Sequence, residues 1–222
     1  SLKKFKDAEK NFDLAINLSP DNKSFKLNRG YSYLCAGRYS EGFRDYENRS
    51  LPQEKDLQHL LKKTPFLDLK KIKNGENILV WSEQGVGDQI LYSKFLFDLK
   101  EKFNIFLKID ERLKPIIKRS ILNVNFFDDL IKSKPASFDY HIPLASLPSL
   151  YAKNDEDIIT RQSNVFKVNT EIKEKIIKKA NLPKNKIICG LSWRTSVKTI
   201  RHKKSLRLID ILKNLGKERF FF

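Results

Sequence analysis

Gly85-Val86-Gly87-Asp88-Gln89 follows the apolar run Ile78-Leu79-Val80-Trp81, which reads as a buried strand. A carboxylate is therefore predicted on the first turn of a helix at the mouth of a strand. In α/β proteins this is where backbone amides and side chains converge on ligands. The spacing is not the dinucleotide fingerprint, because the third glycine is missing and Asp88 intervenes. A phosphate resting on these amides would compete with Asp88, since both draw on the same N–H groups and helix dipole. An uncharged, hydroxyl-bearing ligand suits the position better, and Asp88 could take its proton. The alternative is that Asp88 simply caps the helix, a role worth about 1 kcal/mol.

A second constellation begins at Gly190-Leu191-Ser192-Trp193-Arg194, again at the end of an apolar run. From Arg194 to Arg207 the cations are Arg194, Lys198, Arg201, Lys203, Lys204 and Arg207, with His202 among them and no acid. A diphosphate leaving group needs such charge to stabilise what develops on its oxygens. Lys204-Ser205-Leu206, just before an apolar helical pattern, adds a hydroxyl and a helix N-terminus. A solvated basic loop would have the same composition.

His141 follows Phe138–Tyr140 and precedes Ile142-Pro143-Leu144, which places it at the same sheet edge as Gly85–Asp88, either as a ligand contact or as a packed histidine. Asp155-Glu156-Asp157 has the D-x-D form of some metal-binding sugar transferases, but follows Tyr151-Ala152-Lys153-Asn154 rather than an apolar strand, so it reads as an exposed acidic loop. No His, Cys and carboxylate set has metal-ligand spacing. Neither a nucleophile elbow nor a Walker loop occurs. Cys35 and Cys189 stand far apart in segments of different type and read as two small buried hydrophobes.

The elements that position these residues come in two styles. Phe5, Ala8, Phe12 and Ala15 recur 34 residues later as Tyr39, Gly42, Tyr46 and Arg49. Their spacing is one face of a helix. Leu18-Ser19-Pro20-Asp21 ends the first helix, a second runs from about Lys23 to Ala36, and a third runs from Tyr39 to Arg49 after a turn at Gly37. A lysine-rich connector over residues 51–75 offers Leu57, Leu60 and Leu61 for packing along the surface of the next domain. Strand-like and helical patterns then alternate. Ile78–Trp81 leads to a helix bearing Ile90, Leu91, Phe95, Leu96 and Leu99. Ile105–Ile109 leads to one over Leu113–Ile121. Val124–Phe127 and Phe138–Pro143 are further strands, and a helix lined by Ile172, Ile176, Ile177 and Ala180 feeds a strand over Ile187–Trp193. Such alternation predicts an α/β fold with a parallel sheet.

The net charge of +17 would suit nucleic acid, but its distribution argues otherwise. Residues 1–50 carry +3, residues 51–165 carry +2 and residues 166–222 carry +12. Aromatics are not interleaved with the C-terminal cations as a stacking platform requires. No stretch approaches the ~18 apolar residues needed to span a bilayer. No signal peptide is visible, and a reducing cytoplasm is the expected compartment. The chain opens on Ser1, contains no Met and stops on Phe220-Phe221-Phe222, so it reads as a fragment.

The period of 34, with Gly37-Arg38-Tyr39-Ser40-Glu41-Gly42-Phe43 and Tyr46-Glu47-Asn48-Arg49, resembles the tetratricopeptide repeat. Lys26 and Arg29 depart from that pattern, standing where it has Trp and Leu, and Arg49 replaces its second small residue. With Ile78–Gln89, Asp139–Pro148, Gly190–Arg194 and Lys204-Ser205, nearly the whole chain resembles bacterial repeat proteins that run into a glycosyltransferase-like domain. That domain is similar to the ADP-heptose:lipopolysaccharide heptosyltransferases and, more distantly, to O-linked N-acetylglucosamine transferase.

The resemblance implies a GT-B architecture. Helical repeats over 1–50 and a linker over 51–75 would precede a Rossmann-like acceptor domain over 76–165 and a truncated nucleotide-sugar domain over 166–222. It implies Asp88 as catalytic base, with Gly85, Gly87, Gln89 and His141 at the acceptor. Ser192, Trp193, Arg194, Lys204 and Ser205 would lie at the donor, a nucleotide-diphosphate sugar, with no metal or other cofactor. A glycan or protein acceptor, a protein partner on the repeats and peripheral membrane association are the implied partners. A non-catalytic repeat scaffold with a vestigial transferase domain is the competing expectation.

Overall fold

Three helices open the chain: α1 (Phe5–Leu18), α2 (Lys23–Cys35) and α3 (Tyr39–Tyr46). Asn22 caps α2 by accepting a hydrogen bond from the Ser24 amide. Gly37, with φ +81°, turns the chain from α2 into α3. The two helices cross at glycine. A Cβ on Gly30 would lie 2.9 Å from Asp45 Cβ and 3.0 Å from the Gly42 carbonyl oxygen, so backbones meet there with no room for a side chain. Arg29, where a repeat pattern would have Leu, bridges the helices instead: it bonds Asp13 at 2.6 Å and Asp45 at 2.6 and 3.1 Å. Tyr33 and Arg38 likewise tie α1 to the next turn through Glu9. The third helix stops at Tyr46 rather than reaching Arg49.

The structure, a computed structural model, describes residues 4–52, 57–131, 137–151, 154–159, 166–181, 183, 187–194, 205–213 and 220–221. The chain divides into two units, Ser1–Lys167 and Val168–Phe222.

The first unit continues with α4 (Gln58–Lys63), β1 (Asn77–Trp81), α5 (Val86–Ser93), α6 (Leu96–Lys100) and β2 (Asn104–Lys108). A 3₁₀ turn at Glu111–Leu113 leads into α7 (Lys114–Ser120), β3 (Val124–Phe126) and α8 (Phe127–Ile131). Then come β4 (Tyr140–Pro143), a second 3₁₀ turn at Leu144–Ser146, α9 (Leu147–Tyr151) and α10 (Asp155–Ile159). The four strands form one parallel sheet in the order β3-β2-β1-β4. The fold is thus α/β, with β1 inside and the order reversing between β1 and β4.

Alternation along the strands sorts the core into two faces. Ile78, Val80, Ile105, Leu107 and Ile142 join the larger cluster with Tyr92, Phe95, Leu96 and Leu99, and Phe43 and Tyr46 of the helical region belong to it. Leu79 and Trp81 face the other way, into a cluster with Phe127, Phe138 and the connector's Leu57. The connector also closes the β4 edge, where the Leu67 amide donates to the His141 carbonyl and the His141 amide to that of Pro65.

Two expectations about these elements are corrected. The helix drawn through Ile90, Leu91, Phe95, Leu96 and Leu99 is broken between Ser93 and Leu96, and Ile90 and Leu91 are exposed. Ser93 Oγ donates to the Gln89 carbonyl at 2.6 Å, and a tightened turn from the Phe95 amide to the Tyr92 carbonyl succeeds it. Asp155 is not a free acidic loop residue. Its carboxylate accepts from the Ser40 amide at 2.8 Å and caps α3, whose own N-cap residue Arg38 supplies no such bond.

The second unit contains α11 (Thr170–Ala180), β5 (Ile187–Ile188), α12 (Leu208–Lys213) and β6 (Phe220–Phe221) among its described residues. Asn169 caps α11 by accepting from the Ile172 amide, and Asn181 ends it in the left-handed conformation. The two short strands pair in parallel. The strand expected through Trp193 stops at Ile188, and Ile172, Ile176 and Ile177 are exposed.

Candidate functional site

At the carboxyl end of β1 the chain turns through Ser82–Gln84, and Gly85 in extended backbone opens α5. Gly85 has no side chain to cap the helix, so Asp88 is the acidic group of its first turn. Its Oδ2 lies 3.4 Å from where a Gly85 Cβ would stand, so the carboxylate folds back over the loop. Asp88 is exposed, as are Gly85 and Gly87, and open space surrounds the Cβ position of Gly87.

Gln89, by contrast, is buried. Its Nε2 donates to the Gln84 carbonyl at 2.8 Å and its Oε1 accepts from the Asp110 amide at 3.0 Å. Both ends of the amide thus fasten the glycine loop to the end of β2.

Beside that fastening, between the ends of β1 and β2, lies an open cleft of about 650 Å³ lined by Ser82, Gln84, Gln89, Lys108, Asp110 and Asp128 among others. Its charges are matched by neighbours of opposite sign. Asp128 takes Lys108 at 3.5 Å and Lys114 at 3.0 Å, while Asp110 takes Arg112 through two 2.8 Å bonds. The Arg112 hydrogen bonds hold the Asp110 carboxyl down at about 2. Asp88 is not among the residues lining this cleft.

The other side of β1 is filled. Where β1 and β4 diverge, Glu83 lies two residues past β1 and Ser146 three past β4. Arg49, three residues past α3, reaches between them. Its Nη2 donates to Glu83 Oε1 at 2.6 Å and to Ser146 Oγ at 2.7 Å, and its Nη1 to Glu47 Oε1 at 3.1 Å. Ser146 Oγ in turn donates to Glu47 Oε2 at 2.8 Å. The guanidinium lies 4.7 Å from the Tyr46 ring centroid.

The side chains of Arg49 and Glu83 are 4 % and 0 % exposed, and Glu83 Oε2 has no hydrogen-bond partner among the described residues. Burial pushes the Glu83 carboxyl up, and Arg49, with the backbone N–H groups of Glu83 and Ala145, only partly opposes it. Desolvation also works against the Arg49 charge, but Glu47 and Glu83 outweigh it, so the arginine stays cationic. The two directions fit one picture: two carboxylates share one guanidinium in a dry place, and the more buried acid is the one disfavoured.

His141 lies on the other face of the sheet from α5, and it pairs with Leu79 inside the sheet. Its Nδ1 accepts from Trp81 Nε1 at 3.2 Å, and its ring stands edge-on to Phe66. Burial lowers its pKa, which keeps it neutral.

In the second unit Ser192, Trp193 and Arg194 are exposed, and the Leu206 amide donates to the Trp193 carbonyl at 2.9 Å, bringing Ser205 beside them. Lys204 lies outside the described residues, as do Lys198, Arg201, His202 and Lys203. Among the described residues there is no cluster of three or more His, Cys, Asp or Glu placed to hold a metal ion, and no helix long and apolar enough to cross a membrane.

Sequence reading missed Glu83, Ser146 and the reach of Arg49. One signal was present: Arg49 falls 34 residues after Ala15, where the repeat calls for a small side chain.

Fold and sites together define a mixed helical and parallel-sheet α/β protein with a helical region on its N-terminal side. A curated relative, Protein FlbA of Caulobacter vibrioides (strain ATCC 19089 / CIP 103742 / CB 15), is 26% identical over 101 residues, covering 41% of this chain and 16% of that protein. The chain therefore spans well under two thirds of the length of this relative. No family model and no solved structure matches the chain.

Proposed function

We propose that the chain belongs to a metal-independent glycosyltransferase of GT-B type, with tetratricopeptide-like helices ahead of its acceptor domain. The observation that supports this most is the exit of β1. A parallel sheet in the order β3-β2-β1-β4 delivers an exposed carboxylate, Asp88, on the first turn of a helix at its carboxyl edge.

In this reading Asp88 accepts the proton of an acceptor hydroxyl. The acceptor oxygen forms a bond to the anomeric carbon of the sugar, and the bond from that carbon to the diphosphate breaks, the diphosphate leaving with the electron pair. Arg194, Lys204 and Ser205 are the residues proposed to meet the diphosphate of a nucleotide-diphosphate sugar, with Ser192 and Trp193 beside them. The acceptor is a glycan or a protein, and the helices bind a partner.

The test is sugar transfer by the full natural protein from a panel of nucleotide-diphosphate sugars, beside Asp88→Asn. The expected result is turnover in the parent and a loss of about 10²-fold or more in the variant at unchanged melting temperature. Full activity in Asp88→Asn would remove the assigned base.

A second reading, a non-catalytic scaffold, is favoured by a specific observation. Gln89 and His141, two groups expected at the acceptor, are both engaged in holding the fold. It predicts no turnover with any donor and no rise in melting midpoint on adding nucleotide diphosphates.

A further inference from the structure

Arg49 is one of the residues at which the 34-residue pattern fails, and its side chain joins the helical region to the ends of the sheet. It spans three segments: the end of α3 through Glu47 and Tyr46, the end of β1 through Glu83, and the turn after β4 through Ser146. Glu83 is also the second residue before Gly85, so whatever holds Glu83 holds the start of the glycine loop. The far end of that loop is fastened by Gln89 to Gln84 and Asp110. The loop is thus pinned from two sides, and one of the pins belongs to the helices.

We propose that Arg49 and Glu83 are positioning residues that form a latch, through which the helical region sets the geometry of the Gly85–Asp88 loop. A surface ion pair could not do this, because solvent would replace either partner at little cost. A buried pair cannot be half-broken. If α3 shifts, Arg49 leaves the Glu83 carboxyl without its cation in a dry place, and the loop is driven to move so as to rehydrate it. A partner that displaces α3 would therefore be felt at Asp88. The latch bears on the sugar-transfer reading only in that Asp88 sits on the loop. Its test involves no sugar chemistry, so the two can fail separately.

Hydrogen exchange of the full natural protein, followed in peptides covering Tyr39–Tyr46 and Gln84–Gln89, tests the latch. In Glu83→Gln, which keeps the shape and removes the charge, exchange is expected to rise in both peptides together, by about tenfold or more, with the β2 and α7 peptides unchanged. The double variant Arg49→Met/Glu83→Met, whose apolar pair can pack without unmatched charge, should show the same paired rise at near-parental melting temperature. Arg49→Lys keeps the charge but cannot bridge Glu83 and Ser146 at once, and should give a smaller paired rise. It carries the test if the other two do not fold. A rise confined to one peptide, or no rise in a folded variant, would overturn the latch.

Discussion

β1 ends between two neighbours, and its two sides could hardly differ more. Toward β2 the sheet opens into a polar cleft whose charged residues are paired near solvent, Arg112 with Asp110 for example. Toward β4, where the strand order reverses and α/β proteins usually leave a ligand crevice, the space is occupied by Arg49, Glu83 and Ser146. The crevice expected from topology has been given to the junction with the helices. Any small ligand at this edge must use the β2 side or the exposed loop above it. The difference also teaches what sets the worth of an ion pair here: the same chemistry is nearly neutral in water and demanding when dry.

The contrast can be broken most directly at Arg49. Arg49→Met takes the guanidinium away from the buried Glu83 carboxyl and should cost about 3–5 kcal/mol of unfolding free energy. Urea denaturation at neutral pH reads this. A cost near zero would mean that the filled side is as forgiving as the open one.

A smaller loss is expected from Gly30→Ala, two helices back from the junction. The added methyl would meet Asp45 Cβ at 2.9 Å, the Gly42 carbonyl at 3.0 Å and the Tyr46 amide at 3.1 Å, all on the helix that leads to Arg49. Overpacking of this kind costs about 1–3 kcal/mol, from which alanine's better helix propensity recovers about 1. Thermal melting should fall by a few degrees. An unchanged midpoint would show that α3 can drift without disturbing the junction.

Much of this architecture was legible because it rests on local rules. The helical spacing of Phe5, Ala8 and Phe12 and the turn at Gly37 marked the opening helices, and the apolar runs at Ile78 and Ile105, alternating with helical patterns, marked strands of a parallel sheet. Helix continuity through Ser93 was not legible, since it depends on a hydroxyl competing for the Gln89 carbonyl. The site was legible only as far as residues contiguous in sequence carry it. Asp88 on its helix turn comes from the glycine loop, whereas Glu83, Arg49 and Ser146 meet across 34 and 97 residues of chain. His141 misled for a related reason. Its strand was right, but alternation put it on the opposite face, where Trp81 takes its Nδ1.

That histidine gives the mildest way to sharpen the comparison, because it sits on β4, the strand of the filled side, yet has no part in the junction. Burial lowers its pKa from 6.5, so the unfolded chain binds its proton more readily than the folded one. Its contribution to stability is therefore complete above about pH 6.5 and is lost as the pH falls through that value toward the lower folded one. Glu83 acts with the opposite sign, since a carboxyl raised by burial above its ordinary 4.5 stabilises the fold as it takes up its proton, so the His141 effect is read as the difference between parent and variant. Unfolding free energy measured from pH 7.5 to 5 should decline in the parent, and His141→Asn, which keeps an acceptor for Trp81, should flatten the decline. If the slope persists in His141→Asn, the acid sensitivity belongs to another group and the packed histidine is not what the β4 side feels first.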